Sequence, residues 1–266
     1  VTDGTEAGVT VGAESMPAQR GVAVVTGGSR GIGAAIAVEL ARNGWDLCLS
    51  YRTDDEAAAG VLARCEAASA RAVAVRADVS SSADVTALFA AADRLGPVSV
   101  LVNNAGIVDR RARVDEMSPE RLERMLAVNV VGAFLCAGAA VRRMSTRYGG
   151  TGGAIVNVSS VAARLGSPGE YVDYAASKGA VDTMTIGLAK EVAAEGIRVN
   201  AVRPGIIDTE IHASGGQPDR AALVGPNAPL GRAGTPAEVA AAILWFCLPE
   251  SSSYATAALL DLSGGR

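Results

Sequence analysis

A single histidine, His212, in a chain of 266 residues leaves no material for a histidine-based metal centre or for a Ser/His/Asp triad. The four cysteines, Cys48, Cys65, Cys136 and Cys247, stand apart with no CxxC spacing. That sets aside a disulfide framework and a zinc site and fits a reduced, cytoplasmic protein with no metal. Basic residues are not in excess: the formal net charge of -4 gives nucleic acid no footprint. Long apolar runs are also missing. The longest, Val239 to Leu248, is about half of the ~20 residues that a membrane-spanning helix needs, so it reads as a buried helix and no membrane partner is expected. Residues 1–20 have neither the basic start nor the apolar centre of a secretion signal and read as a disordered tail. No repeat of 20 to 50 residues is present.

What the chain does have is 49% apolar residues with no shift in composition, which predicts one domain over 21–266. Short apolar runs at 22–25, 46–51, 72–75, 98–102, 154–158, 199–202 and 259–262 alternate with helical segments, including 54–68, 81–95, 118–144 and about 170–195. Strands alternating with helices predict an α/β, Rossmann-type doubly wound parallel sheet of about seven strands with helices on both faces. Its ligands sit beyond the carboxyl ends of the strands.

Between the first strand and the first helix lies TGGSRGIG, in which Gly27, Gly31 and Gly33 allow a tight turn and bring a helix N-terminus to a pyrophosphate. An NAD site commonly places an acid at the end of the second strand to hold the ribose hydroxyls. Here Ser50, Tyr51 and Arg52 stand there. Arg52 with Arg30 would grip a 2′-phosphate, so NADP(H) is expected over NAD(H), unless both arginines are solvated surface charge; Asp54 and Asp55 weigh slightly against it. Asp78, after the third strand, is either an acceptor for the adenine amino group or a turn aspartate. Asn104, Ala105 and Gly106 end the fourth strand and are small enough for a cofactor to lie against.

Tyr174 and Lys178 in YAASK are four apart and share a helix face, although a YxxxK spacing alone is an ordinary one. A neighbouring cation favours phenolate, which predicts a tyrosine pKa below its usual ~10 and a group able to exchange a proton with a carbonyl or alcohol.

With TGGSRGIG at 26–33, NNAG at 103–106, NVVG at 129–132, VNVSS at 156–160, YAASK at 174–178 and RPG at 203–205 in this order, the chain from about residue 20 onward resembles the short-chain dehydrogenase/reductase family. It is similar in particular to members acting as 3-oxoacyl-(acyl-carrier-protein) reductases and glucose dehydrogenases. The resemblance implies Tyr174 as acid/base and Lys178 as the residue that tunes it and holds the nicotinamide ribose. Ser160 would bond the substrate oxygen, with Ser159 a rival, and Asn129 would hold a water on a proton relay. Further cofactor contacts implied are Ser29, Ile32, Val79, Pro204, Gly205, Ile207 and Thr209. The segment at about 206–233 reads as a substrate lid. A homotetramer packed through the two long helices is expected, acting on a small carbonyl or alcohol: a 3-oxoacyl thioester, a sugar or polyol, or another ketone. Arg220 and Arg232 are the basic residues seen beside the lid, too few to suggest an acidic carrier protein. A non-catalytic NADP(H)-sensing protein of the same fold is the alternative. A methyltransferase would want an acid where Tyr51 stands.

Overall fold

Seven parallel strands lie in the order β3-β2-β1-β4-β5-β6-β7. They are β1 (Val22–Val25), β2 (Asp46–Tyr51), β3 (Ala72–Arg76), β4 (Val98–Asn103), β5 (Gly153–Val158), β6 (Ile197–Pro204) and β7 (Leu259–Leu262). The computed structural model describes residues 20–266, apart from the side chains of His212 and Ser214, and the expected tail falls outside it but for its last residue. The strand order reverses between β1 and β4, which pair in parallel through Val24 and Leu101, and this reversal opens a crevice at their carboxyl ends. All four β1 residues are inaccessible, as expected of a strand covered on both faces.

Helices α1 (Gly31–Arg42), α2 (Asp55–Ala67) and α6 (Pro236–Cys247) cover one face, packing Ile36, Leu40, Val61, Ile243 and Phe246 on the sheet. The other face carries α3 (Ser82–Leu95), α4 (Pro119–Met144) and α5 (Val172–Val192), with Leu88, Phe89, Cys136, Met144 and Met184 in its core. Thr235 and Glu238 form a reciprocal cap on α6, and the Ser118 hydroxyl accepts the Arg121 N–H at the start of α4.

Periodicity predicts one regular helix over 118–144. The helix is there but contains a π turn, Ala127–Val131. Its extra residue per turn carries Asn129 inward, where the side chain is 2% exposed. By length and composition α4 is apolar enough to cross a membrane, yet it packs its Cys136, Ala137 and Ala140 into the core against the sheet.

Candidate active site

The glycine turn is built by backbone demands. Gly27 and Gly31 adopt φ of 62° and 52°, a region costly for side chains, and a Cβ on Gly33 would lie 2.1 Å from the Gly27 carbonyl oxygen. The turn is then tied to the neighbouring strands. The Thr26 hydroxyl accepts from the Asn104 and Ala105 amides at 2.9 and 3.0 Å, and the Asn104 side-chain amide donates to the Thr26 and Gly27 carbonyls at 2.9 and 3.0 Å. The Ser50 hydroxyl accepts the Gly27 N–H at 3.1 Å. Among the described residues no side chain caps α1. Its first-turn amides therefore offer a ready partner for an anion.

Beyond the turn lies a chamber walled by Gly27, Ser29, Arg30, Gly31, Ile32, Tyr51, Arg52, Asp78, Val79, Asn104, Ala105, Gly106 and Thr209. A glycine cradle with open amides, small residues along one wall, Arg30 in the glycine turn and Arg52 after β2 fit a phosphorylated dinucleotide. Arg52 lies 3.4 Å from Asp78 and is largely exposed. Asp78 also behaves as a turn residue: its carboxylate accepts from the Ser80 hydroxyl and N–H at 2.6 and 3.0 Å, which holds it below the usual carboxylate range. Tyr51 donates to Asp55 at 2.7 Å. The sequence placed Ser50 at the end of the second strand without giving it a role, and Ile107 and Glu210, which line this space with it, carried no sequence signal.

A second chamber adjoins the first and shares Ile32, Asn104, Gly106, Thr209 and Ile211 with it. Ser160, Tyr174, Lys178, Pro204, Gly205 and Ile207 line it. Ser160 and Tyr174 stand together in this chamber, near enough for the Ser160 hydroxyl to favour the ionised phenol, and the Ser160 hydroxyl is placed by the Ala162 N–H, which it accepts at 3.1 Å. Ser159 also borders this space, but its hydroxyl is 2% exposed and donates to the Lys178 carbonyl at 3.2 Å. Tyr171 bonds Gln217 at 3.2 Å instead of addressing the Tyr174 hydroxyl.

The expected lowering of the Tyr174 pKa is corrected by this geometry. Burial pushes the phenol up to about 12, with only the Ser160 hydroxyl opposing it. Lys178 does not reach the hydroxyl. Its ammonium lies 5.6 Å from the centre of the Tyr174 ring and donates to the Val158 carbonyl at 2.7 Å. Burial pulls the lysine itself down to about 8, against the field of Asp182. Only two of the 24 basic residues, Lys178 and Lys190, are lysines. An arginine at 178 would stay charged, whereas a buried lysine can release its proton near neutral pH.

Two of the expected site residues stand behind the walls. Gly33 packs beneath the glycine turn, and Asn129 backs Gly106, where an added Cβ would meet the Asn129 oxygen and the Lys178 amine, each at 3.4 Å. The Asn129 amide clasps Ile107, accepting its N–H at 2.8 Å and donating to its carbonyl at 3.0 Å, and also donates to the Ser177 hydroxyl at 3.1 Å. One further group was missed. Arg203 pairs with Asp182 at 2.9 Å and with Asp261 at 3.5 Å, and Asp261 also pairs with Arg164. These charges link the helix of Lys178 to the Pro204 strand and to the turn after Ser160. Asp182 stands one helical turn after Lys178, a spacing that could have been noticed.

A family model described as short chain dehydrogenase matches residues 21–219. The chain is 52% identical over 246 residues to an uncharacterized oxidoreductase, YgfF, of Escherichia coli, covering 92% of this chain and 99% of that one. It is 37% identical to glucose 1-dehydrogenase 2 of Bacillus subtilis, over 91% of this chain and 93% of the relative. Among solved structures, a short chain dehydrogenase from Burkholderia cenocepacia in complex with NADP matches with a TM-score of 0.84 and 35% identity, covering 93% of this chain and 98% of that one.

Proposed function

Because the chain belongs to the short-chain dehydrogenase family, we propose that it is an NADP(H)-dependent oxidoreductase moving a hydride between nicotinamide and a carbonyl or secondary alcohol. The observation that carries this reading is the Ser160–Tyr174 hydroxyl pair in a chamber that opens directly onto the glycine-turn chamber.

The dinucleotide supplies the hydride. Tyr174 gives its proton to the carbonyl oxygen in reduction, or takes one from the alcohol in the reverse direction, and Ser160 donates a hydrogen bond to that oxygen as charge develops on it. A phenol held at about 12 is a stable proton donor across the physiological range. Lys178, close to half-charged near pH 8, is suited to returning a proton to the site and to holding a ribose hydroxyl beside Gly106. Asn129 keeps the Ile107 backbone, part of the wall of the first chamber beside Gly106, in place.

Arg52 and Arg30 at the rim of the first chamber support a 2′-phosphate, as does the NADP bound to the Burkholderia relative. The segment at 206–233 supplies Thr209, Ile211, Gly215 and Arg220 to the second chamber, in keeping with a lid over the substrate. Four buried, unpaired thiols suit a reducing, cytoplasmic setting. On α4, Leu126, Val131 and Phe134 remain exposed, and on α5 so do Val172 and Ile186, an apolar surface that suits a homotetramer assembled through these helices.

Tyr174→Phe tests the role assignment. Turnover should fall by about 10² to 10⁴ with NADPH affinity within about threefold of the parent. A matching loss of NADPH affinity would show that Tyr174 serves binding and not proton transfer.

A further inference from the structure

Resting on the reductase reading above, we infer that the substrate is a ketone or aldehyde with an apolar body, and not a polyhydroxylated sugar or polyol. The second chamber is walled beyond the Ser160–Tyr174 pair by Val108, Val161, Ala162, Leu165, Tyr171 and Ile206. The polar groups on that wall are largely spent within the protein. The Tyr171 hydroxyl donates to Gln217 at 3.2 Å, and Arg220 donates to the same Gln217 oxygen at 2.7 Å and to Glu170 at 2.6 Å while its guanidinium lies 5.2 Å from the centre of the Tyr171 ring. Glu170 is held on its other oxygen by Arg111 at 2.6 Å. This cluster turns a potentially hydrogen-bonding wall into an aromatic one. It also brings Arg111, from the loop after β4, to a lid flank that carried only Arg220 and Arg232 in the linear sequence.

Sugar hydroxyls each need a donor or an acceptor, and buried ones are commonly met by carboxylates and side-chain amides. No Asp or Glu side chain lines this chamber among the described residues, and its one side-chain amide, Asn104, is committed to the Thr26 and Gly27 carbonyls. Apart from Ser160, Tyr174 and Lys178 at the reacting end, the described lining side chains left with a wholly uncommitted polar group are Ser167, Thr209 and Arg266. Thr209 belongs to the wall shared with the dinucleotide chamber, and the Arg266 side chain is exposed. Each sugar hydroxyl buried without a partner would weaken binding by about tenfold, whereas each apolar group placed against this wall would strengthen it. A site of this kind separates the two substrate classes by what it leaves unpaired.

The experiment uses the full chain with NADPH, whose binding is followed by its fluorescence while oxidation is followed by absorbance. One panel contains cycloalkyl and aryl ketones and aldehydes, the other keto sugars and inositol-type ketones of matched size. The expected result is a kcat/KM at least about 100-fold higher for the apolar panel, as two or more unpaired hydroxyls would produce. Leu165, at the rim and 47% exposed, can be changed without disturbing the core. Leu165→Asp should lower kcat/KM for the bulkier apolar ketones by about tenfold, through KM. Equal or better turnover of the keto-sugar panel would overturn the inference and leave the reductase reading standing. NADPH binding with neither panel reduced would overturn the reductase reading and the inference with it.

Discussion

Lys178 is a buried amine whose charge the fold resists, and this can be measured without knowing the substrate. Its side chain is 5% exposed and its pKa is pulled from the ordinary 10.5 to about 8. In the unfolded chain the amine keeps its ordinary affinity for protons, so between these two values the unfolded state binds more protons than the native one and native stability rises with pH. At about 1.4 kcal/mol per unit, the native state is disfavoured by roughly 3 kcal/mol at pH 7 and by only about 1 kcal/mol at pH 10. Lys178→Met removes this titration and keeps most of the side-chain volume. It also strips the Val158 carbonyl of its donor, a cost that does not depend on pH. The stability of Lys178→Met relative to the parent should therefore fall by about 2 to 3 kcal/mol between pH 7 and pH 10, all other titrations cancelling in the difference. Urea unfolding of both chains at equal concentration across this range measures it. A difference constant to within about 0.5 kcal/mol would refute the desolvation argument, and with it the view that Lys178 can give up its proton near neutral pH.

Two further outcomes are expected. Arg52→Ala should weaken NADPH binding by about 1.5 to 3 kcal/mol, the worth of a charge-assisted bond, and leave NADH binding nearly unchanged; titration of both cofactors against the variant checks this, and equal losses would remove the 2′-phosphate from the account. Phe134, 54% exposed on α4, should tolerate a charge in an isolated subunit but not in an assembled one. Phe134→Glu should shift light scattering at micromolar concentration from a tetramer to smaller species, whereas a parent already monomeric would end the expectation of a tetramer.

Much of the fold could be read directly because its signals are local. Seven apolar runs become seven strands, with ends displaced by at most two residues, since a strand covered on both faces must be apolar throughout and a turn must carry glycine or polar residues. The glycine turn was equally legible: Gly27, Gly31 and Gly33 answer to backbone angles and to a close carbonyl, which few other residue types permit. The π turn at Asn129 was not legible, because the low helix propensity of Ala127–Val131, with its three valines and asparagine, does not mark an extra residue, which is stabilised by contacts with Ile107 and Ser177 from other parts of the chain.

By itself, the sequence determined the doubly wound topology, the family, and which tyrosine and lysine stand one helical turn apart. Those properties depend on periodicity, turn chemistry and spacing along one helix. The protonation of that pair was decided only by the tertiary structure. Spacing placed a cation four residues from a phenol and so suggested a lowered pKa; packing buried both groups, turned the amine onto the Val158 carbonyl and drove the two pKa values apart, each group toward its own neutral form. The character of the second chamber was decided in the same way. Arg111, Glu170, Tyr171, Gln217 and Arg220 read as scattered polar residues until folding brings them together, where they satisfy one another and leave an apolar wall. Desolvation and hydrogen-bond satisfaction depend on which surfaces meet, and that is set by the fold as a whole.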